Sequence, residues 1–215
     1  MPGRFTPLEN GEYYHLFNRG SDKRNVFLKP QDFSRFKQTF YYYQFVGPKP
    51  KLSKLSRNDF LSFKGLPENK LVEIICYCLM PNHCHFLVKQ LKENGITVFM
   101  SQLFNSYTKY FNIKYQRVGA LFQGVFKAVR IETDEQLIHV SRYIHLNPIV
   151  SQITRNLDSY SWSSLHEYLG ESEVCSTKEI QGFFPSKEGY KKFLEDQVDY
   201  GLTLERIKHQ VIEEL

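Results

Sequence analysis

The spacing of hydrophobic and polar residues along the chain predicts an alternation of strands and helices. Strands are expected where apolar side chains alternate or run together, and helices where they recur every three or four positions. The Pro81-Asn82 turn separates two of the strands. The predicted strands cover residues 12–19, 71–80, 83–89 and 125–132, and the predicted helices cover residues 32–45, 96–115 and a segment from Asp134 that stops before Pro148.

The order of these elements predicts the fold class. Strand, helix, two strands, helix and strand match the α+β, ferredoxin-like split βαβ arrangement, an antiparallel sheet with helices on one face. Short helices are expected beyond residue 155, around residues 160–169, 187–196 and 204–215. We therefore predict one domain over residues 1–150, with a surface insertion at 47–70, and a C-terminal helical extension over residues 151–215. This fold serves many functions, so the function must be argued from individual residues.

The charge of the chain is unevenly distributed. The 215 residues contain 28 Lys and Arg against 23 Asp and Glu, a net charge of +5. Residues 1–170 hold 22 basic and 13 acidic residues, whereas residues 171–215 hold 6 basic and 10 acidic residues. The insertion at 47–70 alone has six basic and two acidic residues. A basic body of this kind favours a polyanionic partner such as a nucleic acid.

The sequence also predicts a cellular compartment. It has no apolar run of membrane-spanning length, and Met1 to Phe5 lacks the apolar segment of a signal peptide. The four cysteines, at 76, 78, 84 and 175, do not form the dense pattern of a disulfide framework. We therefore expect a cytoplasmic protein with reduced thiols and no membrane partner.

His83 and His85 form the first candidate site. Side chains two positions apart on a strand share one face, roughly 6.6–7 Å apart along the strand, and two imidazoles at that separation can bind one metal ion. Cys84 points to the opposite face, which argues against a tetrahedral Cys/His zinc cluster. The spacing alone also fits two histidines with a surface or structural role.

Tyr143 and Asn147 form the second candidate site. They lie four positions apart on a predicted helix and so share a face, with His139 one turn earlier. A tyrosine phenol can act as a nucleophile, and a carboxamide oxygen is a ligand suited to Mg²⁺ or Mn²⁺. The alternative is a core aromatic residue followed by an asparagine that ends the helix before Pro148.

Three ordered motifs resemble one protein family. Residues 81–88 (PNHCHFLV) resemble the HUH motif of single-tyrosine DNA-cleaving enzymes. Residues 119–128 (GALFQGVFKA) and 142–148 (RYIHLNP) are similar to later motifs of the REP-associated tyrosine transposases, within the insertion-sequence-200-like family. Residues 160–165 (YSWSSL) also match a motif downstream of the catalytic helix in longer members.

The resemblance implies a reaction and the residues that perform it. His83, His85 and Asn147 would bind a divalent metal, Mg²⁺ or Mn²⁺, and Tyr143 would attack the scissile phosphate of single-stranded DNA, leaving a 5′-phosphotyrosyl link. His139 is a possible proton acceptor in that step. The expected substrate is single-stranded or hairpin DNA, bound by a monomer or a homodimer.

Basic side chains near these motifs are the candidate contacts to the DNA backbone. They are Arg19, Lys23, Arg24, Lys109, Lys114, Arg117, Lys127 and Arg130. Two alternatives stay open at this point: a rolling-circle or conjugative nicking enzyme with the same HUH site, and a non-catalytic or domesticated nucleic-acid-binding protein.

Overall fold

A computed structural model of the chain describes residues 7–47, 50, 52–56, 67–170 and 174–198. The predicted helix at 204–215 and most of the insertion at 47–70 lie outside the described residues. The strands are β1 (Tyr13–Arg19), β2 (Val72–Met80), β3 (His83–Gln90) and β4 (Lys127–Ile131). The α-helices within the described ranges are α1 (Pro30–Tyr43), α2 (Gly95–Lys114), α3 (Asp134–Val150), α4 (Leu165–Leu169), α5 (Lys178–Gln181) and α6 (Lys187–Glu195).

The four strands form one antiparallel sheet in the order β2-β3-β1-β4. Hairpin partners β2 and β3 lie side by side, and β1 is inserted between β3 and β4. This order is the ferredoxin-like one, so the predicted α+β class and split βαβ arrangement are confirmed. In the register of β1 against β3, Phe17 lies opposite His85 and Arg19 lies opposite His83.

One face of the sheet is covered by α1 and α2, as the split βαβ prediction requires. Leu16 and Phe86 point from the strands into this core, where they meet Phe36 of α1 and Phe99 of α2. All four side chains are fully buried. At roughly 25 cal/mol per Å² of apolar surface, such burial supplies most of the stabilisation of a domain of this size.

The opposite face of β2 and β3 is covered by α3 together with the C-terminal helices. Cys78 and Leu87 contact a second core that contains Ile144 of α3 and Tyr190 of α6. The chain around Trp162 also pairs with the edge of β2, where Leu79 N donates to Trp162 O at 2.9 Å. The extension therefore adds a helical layer to the sheet, while the division at residue 150 stays a prediction.

Helix α3 departs from the prediction that it stops before Pro148. It begins at the Thr133 N-cap, whose side chain accepts from Gln136 N, and runs through Pro148 to Val150. Pro148 has no backbone N–H to donate to the Ile144 carbonyl, and α3 nevertheless continues for two further residues. Asn147 Nδ2 donates to the Tyr143 carbonyl at 2.9 Å. Among the described helices, none has the length and apolar character needed to cross a membrane.

Candidate active site

A cavity of about 620 Å³ opens beside β1, β3 and α3. Its walls include all five side chains singled out for chemistry: His83, His85, His139, Tyr143 and Asn147. They come from a strand that ends at Gln90 and a helix that begins at Asp134, 44 positions later, which the fold brings together. The structure thus unites the two candidate sites in one place.

His83 and His85 share one face of β3, as their spacing predicts. Their ring centroids are 5.0 Å apart and the rings are perpendicular. Cys84 lies on the other face, in the core with α1 and α2, and its burial raises the pKa of the thiol to about 12. The Cys84 thiol therefore stays protonated and takes no part in the cavity.

Each of the two imidazoles has a polar partner at Nδ1. His83 Nδ1 lies 2.6 Å from Asn82 Oδ1, and His85 Nδ1 lies 2.9 Å from Nε2 of His15 on β1. Burial lowers the pKa of His85 well below its usual value, with smaller contributions from His15, His83 and Arg19. Burial also lowers the pKa of His15 to about 4. His85 and His15 are therefore neutral at pH 7, the form in which a ring nitrogen can bind a metal.

Tyr143 lines the cavity and contacts His85. Its ring centroid is 5.5 Å from that of His85 and 5.8 Å from that of His15, edge-on in both cases. The residue is 52% exposed, so a substrate can reach the phenol. Asn147 is buried one turn further along α3, and its bond to the Tyr143 carbonyl uses the amide nitrogen, so Oδ1 is the atom of this side chain that could bind a metal.

His139 lies on the same wall but interacts with charged neighbours. Its Nδ1 is 2.6 Å from an Arg142 nitrogen, and its Nε2 is 3.7 Å from Glu135. The Arg142 guanidinium in turn lies 4.3 Å from the centre of the Phe193 ring of α6. His139 is thus held at the cavity wall by Arg142, a residue that the sequence interpretation did not single out.

Two of the eight basic residues proposed to contact DNA line this cavity. They are Arg19 and Lys127, and the Lys127 ammonium lies 5.9 Å from the Phe17 ring centre. Lys23 lies beside the hairpin turn, where its carbonyl accepts from Asn82, and Arg24 forms an ion pair with Asp22 at 2.9 Å. Neither of those two lines the cavity.

The other four basic residues lie elsewhere. Lys109 and Lys114 line a separate cavity between α1 and α2, and Lys114 pairs at 2.6 Å with the fully buried Asp32. Arg117 donates to Asn112 at 2.7 Å. Arg130 forms ion pairs with Glu9 and Glu12 at 3.0 and 3.2 Å.

Several cavity residues were not anticipated from the sequence. Phe17 lines the cavity from β1, and His15, two positions earlier on the same strand, contacts His85 and Tyr143. The strand period could have placed the two side chains together on one face. Which face they share depends on the pairing of β1 with β3, which no local pattern specifies. Gln123, Ser151 and Gln197 also line the cavity, and they come from loops and from the chain beyond α6.

The donor set at the cavity is two imidazoles and one carboxamide. Within the part of the chain that the structure describes, no three His, Cys, Asp or Glu side chains are grouped to hold a metal ion. A mixed nitrogen and oxygen set of His83, His85 and Asn147 is suited to a divalent ion with oxygen-rich coordination completed by substrate and water.

The comparisons with known proteins agree with this geometry. Residues 60–147 match the family model described as IS200-like transposase, a segment that includes β2, β3 and the helix turn from Tyr143 to Asn147. Residues 60–147 are thus similar to the IS200-like transposases, in agreement with the resemblance inferred from the motifs. No curated protein matches the chain.

A solved structure has the same fold. It is that of a REP-associated tyrosine transposase bound to a REP hairpin, with a TM-score of 0.56 and 13% sequence identity. The match covers 82% of this chain and 96% of the other. At this level of identity the likeness concerns the fold, and it extends well beyond the segment that the family model matches.

Proposed function

We propose that this protein is a metal-dependent single-stranded DNA endonuclease and strand transferase that acts through Tyr143. The observation that carries the proposal is the placement of an exposed tyrosine 5.5 Å, ring to ring, from a buried histidine of the HUH motif, in a cavity also lined by Asn147. The segment that supplies these residues matches the family model of the IS200-like transposases, which supports the proposal.

His83, His85 and Asn147 would hold the divalent ion, Mg²⁺ or Mn²⁺. The fit rests on the chemistry of the donors, since burial keeps His85 neutral and the Asn147 amide nitrogen is used in the bond to Tyr143, so that its oxygen would be the ligand atom. A bound ion would polarise the scissile phosphate and neutralise the charge that develops on it.

The chain's own residues would perform a transesterification. The Tyr143 oxygen attacks phosphorus and forms a tyrosyl ester, while the bond from phosphorus to the 3′-oxygen breaks and that oxygen leaves as a 3′-hydroxyl. The phenol proton passes to a base or to water, and His139, which lines the same cavity, is a candidate acceptor once its contact with Arg142 is released. The tyrosyl phosphodiester can then be attacked by a second 3′-hydroxyl, which rejoins two strands and frees Tyr143.

Single-stranded DNA fits the charge and shape of this cavity. Arg19 and Lys127 at its wall would contact the phosphate backbone, while the half-buried Phe17 ring offers a surface on which an unpaired base can stack. The structural neighbour was solved with a REP hairpin, which supports a hairpin-forming repeat as the substrate here. An assembly with the DNA as a monomer or a homodimer is compatible with this proposal.

A denaturing gel tests the proposal directly. The protein is incubated with labelled single-stranded repeat DNA from its own genomic neighbourhood and with Mg²⁺ or Mn²⁺. We expect a covalent protein–DNA adduct that disappears in Tyr143→Phe and in the presence of a chelator. Tight binding without adduct or cleavage would instead identify a non-catalytic nucleic-acid-binding protein. An adduct on plasmid origin sequences alone would identify a rolling-circle nicking enzyme.

A further inference from the structure

We propose that Asn82 and His15 are positioning residues that fix the tautomers of His83 and His85, so that each ring keeps its lone pair on Nε2 for the metal. The proposal rests on the function proposed for this site. Neither residue belongs to the predicted metal-binding set, and each contacts one member of it through Nδ1.

The Asn82 contact determines the tautomer of His83. Asn82 Nδ2 donates to the Lys23 carbonyl at 3.2 Å, and because a carbonyl only accepts, this bond identifies the amide nitrogen. Asn82 Oδ1 is therefore the atom 2.6 Å from His83 Nδ1. A carboxamide oxygen also only accepts, so the proton of the neutral ring lies on Nδ1 and the lone pair on Nε2.

The backbone around Asn82 keeps this side chain in place. Gly20 N donates to the Asn82 carbonyl at 2.8 Å, and Val26 N donates to the neighbouring Pro81 carbonyl at 2.8 Å. The turn between β2 and β3 is thus bonded to the loop that follows β1. These hydrogen bonds fix the position of the turn, and therefore of the Asn82 side chain that contacts His83.

His15 performs the same task for His85. It lies on β1, the neighbouring strand, with its ring 5.1 Å from that of His85 at an interplanar angle of 20°. Either ring could donate across the 2.9 Å contact between His15 Nε2 and His85 Nδ1. If His15 donated, the neutral His85 ring would carry its proton on Nε2 and could not bind a metal through that atom. We assign His85 Nδ1 as the donor, which gives both ligands the same tautomer.

In many metal sites a histidine that binds the metal through one ring nitrogen donates the N–H of the other to a nearby acceptor, and Asn82 and His15 would be acceptors of this kind. Loss of such a partner typically weakens metal affinity about 10- to 100-fold. We expect a decrease of that size in Mn²⁺ affinity for His15→Phe and for Asn82→Ala. In His15→Gln and Asn82→Asp an oxygen acceptor remains possible, so these variants should recover part of the loss.

Two measurements on the DNA-free protein test the proposal. Long-range ¹H–¹⁵N spectra of the metal-free wild type should show Nδ1–H tautomers for both His83 and His85, a result that requires no variant to fold. Mn²⁺ titrations followed by electron paramagnetic resonance should then give the highest Mn²⁺ affinity for the wild type, a lower affinity for His15→Gln and the lowest for His15→Phe. His166→Gln, which changes an exposed histidine of α4, is the matched control and should bind Mn²⁺ as the wild type does.

An Nε2–H tautomer for His85 in the wild type, or unchanged Mn²⁺ affinity in both His15→Phe and Asn82→Ala, would overturn the assignment. These outcomes are separable from failure of the proposed function. If the tautomers and Mn²⁺ affinities are as expected and no covalent DNA adduct forms, the positioning role stands and the cleavage proposal fails.

Discussion

The hydroxyl of Tyr190 on α6 lies 2.7 Å from Nδ1 of His145 on α3, in a buried network. The other ring nitrogen of His145 is 2.8 Å from Ser164 Oγ, which also accepts from Tyr77 N on β2. The network therefore connects the C-terminal helices, the sheet and the helix that carries Tyr143. The C-terminal extension is therefore hydrogen-bonded to α3, the helix that carries Tyr143.

Removing the Tyr190 hydroxyl should destabilise the fold. Tyr190→Phe leaves His145 Nδ1 and Ser141 Oγ without this partner in a buried site, a loss of about 1–3 kcal/mol. The same substitution at the exposed Tyr143 serves as the control, with an expected change within about 0.5 kcal/mol. Urea unfolding of both variants measures the difference, and equal stabilities would contradict the network's importance.

The buried neutral His145 should make stability fall with acid. Burial lowers its pKa from 6.5 to about 3, so between these values the unfolded chain binds a proton that the folded chain does not. Its contribution is complete above pH 6.5 and is lost as the pH falls towards 3. From pH 7 to pH 5 the loss is about 2 kcal/mol for this one group.

Chemical unfolding of the wild type and of His145→Gln at pH 7 and pH 5 tests this linkage. We expect the variant to be less stable at pH 7 but to lose about 2 kcal/mol less between the two pH values. His15, whose pKa is lowered to about 4, adds a loss in the same direction in both proteins. Parallel pH profiles of the two proteins would show that His145 is protonated in the folded state as readily as in the unfolded chain.

Substitution of Lys114 should lower the stability of the fold, whereas substitution of Lys127 should lower the affinity for DNA. Asp32 is fully buried and accepts from Lys114 Nζ at 2.6 Å, so Lys114→Met weakens the neutralisation of a buried carboxylate and should cost about 1–3 kcal/mol. Lys127→Met, at the cavity wall, should leave unfolding nearly unchanged and lower single-stranded DNA affinity with a shallower salt dependence. Fluorescence anisotropy at two salt concentrations measures the second effect. If Lys114→Met loses more DNA affinity than Lys127→Met when the two variants are compared at equal folded fractions, Lys114 is itself a DNA contact.

Local periodicity was sufficient for much of this architecture. The two-residue strand period correctly places His83 and His85 on one face, and the helix period does the same for Tyr143 and Asn147. Hydrophobic spacing also predicts the four strands whose order the structure confirms. These features depend on neighbours within one element, which the sequence displays directly.

The remaining features depend on contacts between distant parts of the chain. The His15–His85 pair is 70 residues apart in sequence, and the Asp32–Lys114 pair is 82 apart. Charge makes Lys114 a candidate DNA contact, and its ion pair with the buried Asp32 has no local signature in the sequence. Pro148 predicted a helix end, whereas α3 continues to Val150, with Ile144 and Ile149 on either side of the proline buried in the second core.

The position of Tyr143 predicts that one chain holds a complete active site. Within a single chain its ring lies 5.5 Å from His85 and shares a cavity with His83 and Asn147, and α3 is bonded to its own C-terminal helices through His145. Mixing His83→Ala with Tyr143→Phe, each inactive alone, should therefore restore no covalent DNA adduct, because neither chain can lend its missing residue to the other. The adduct formed by a mixture of wild type and Tyr143→Phe should scale with the wild-type fraction. If a covalent adduct forms in the mixture of His83→Ala and Tyr143→Phe, α3 is instead exchanged between subunits.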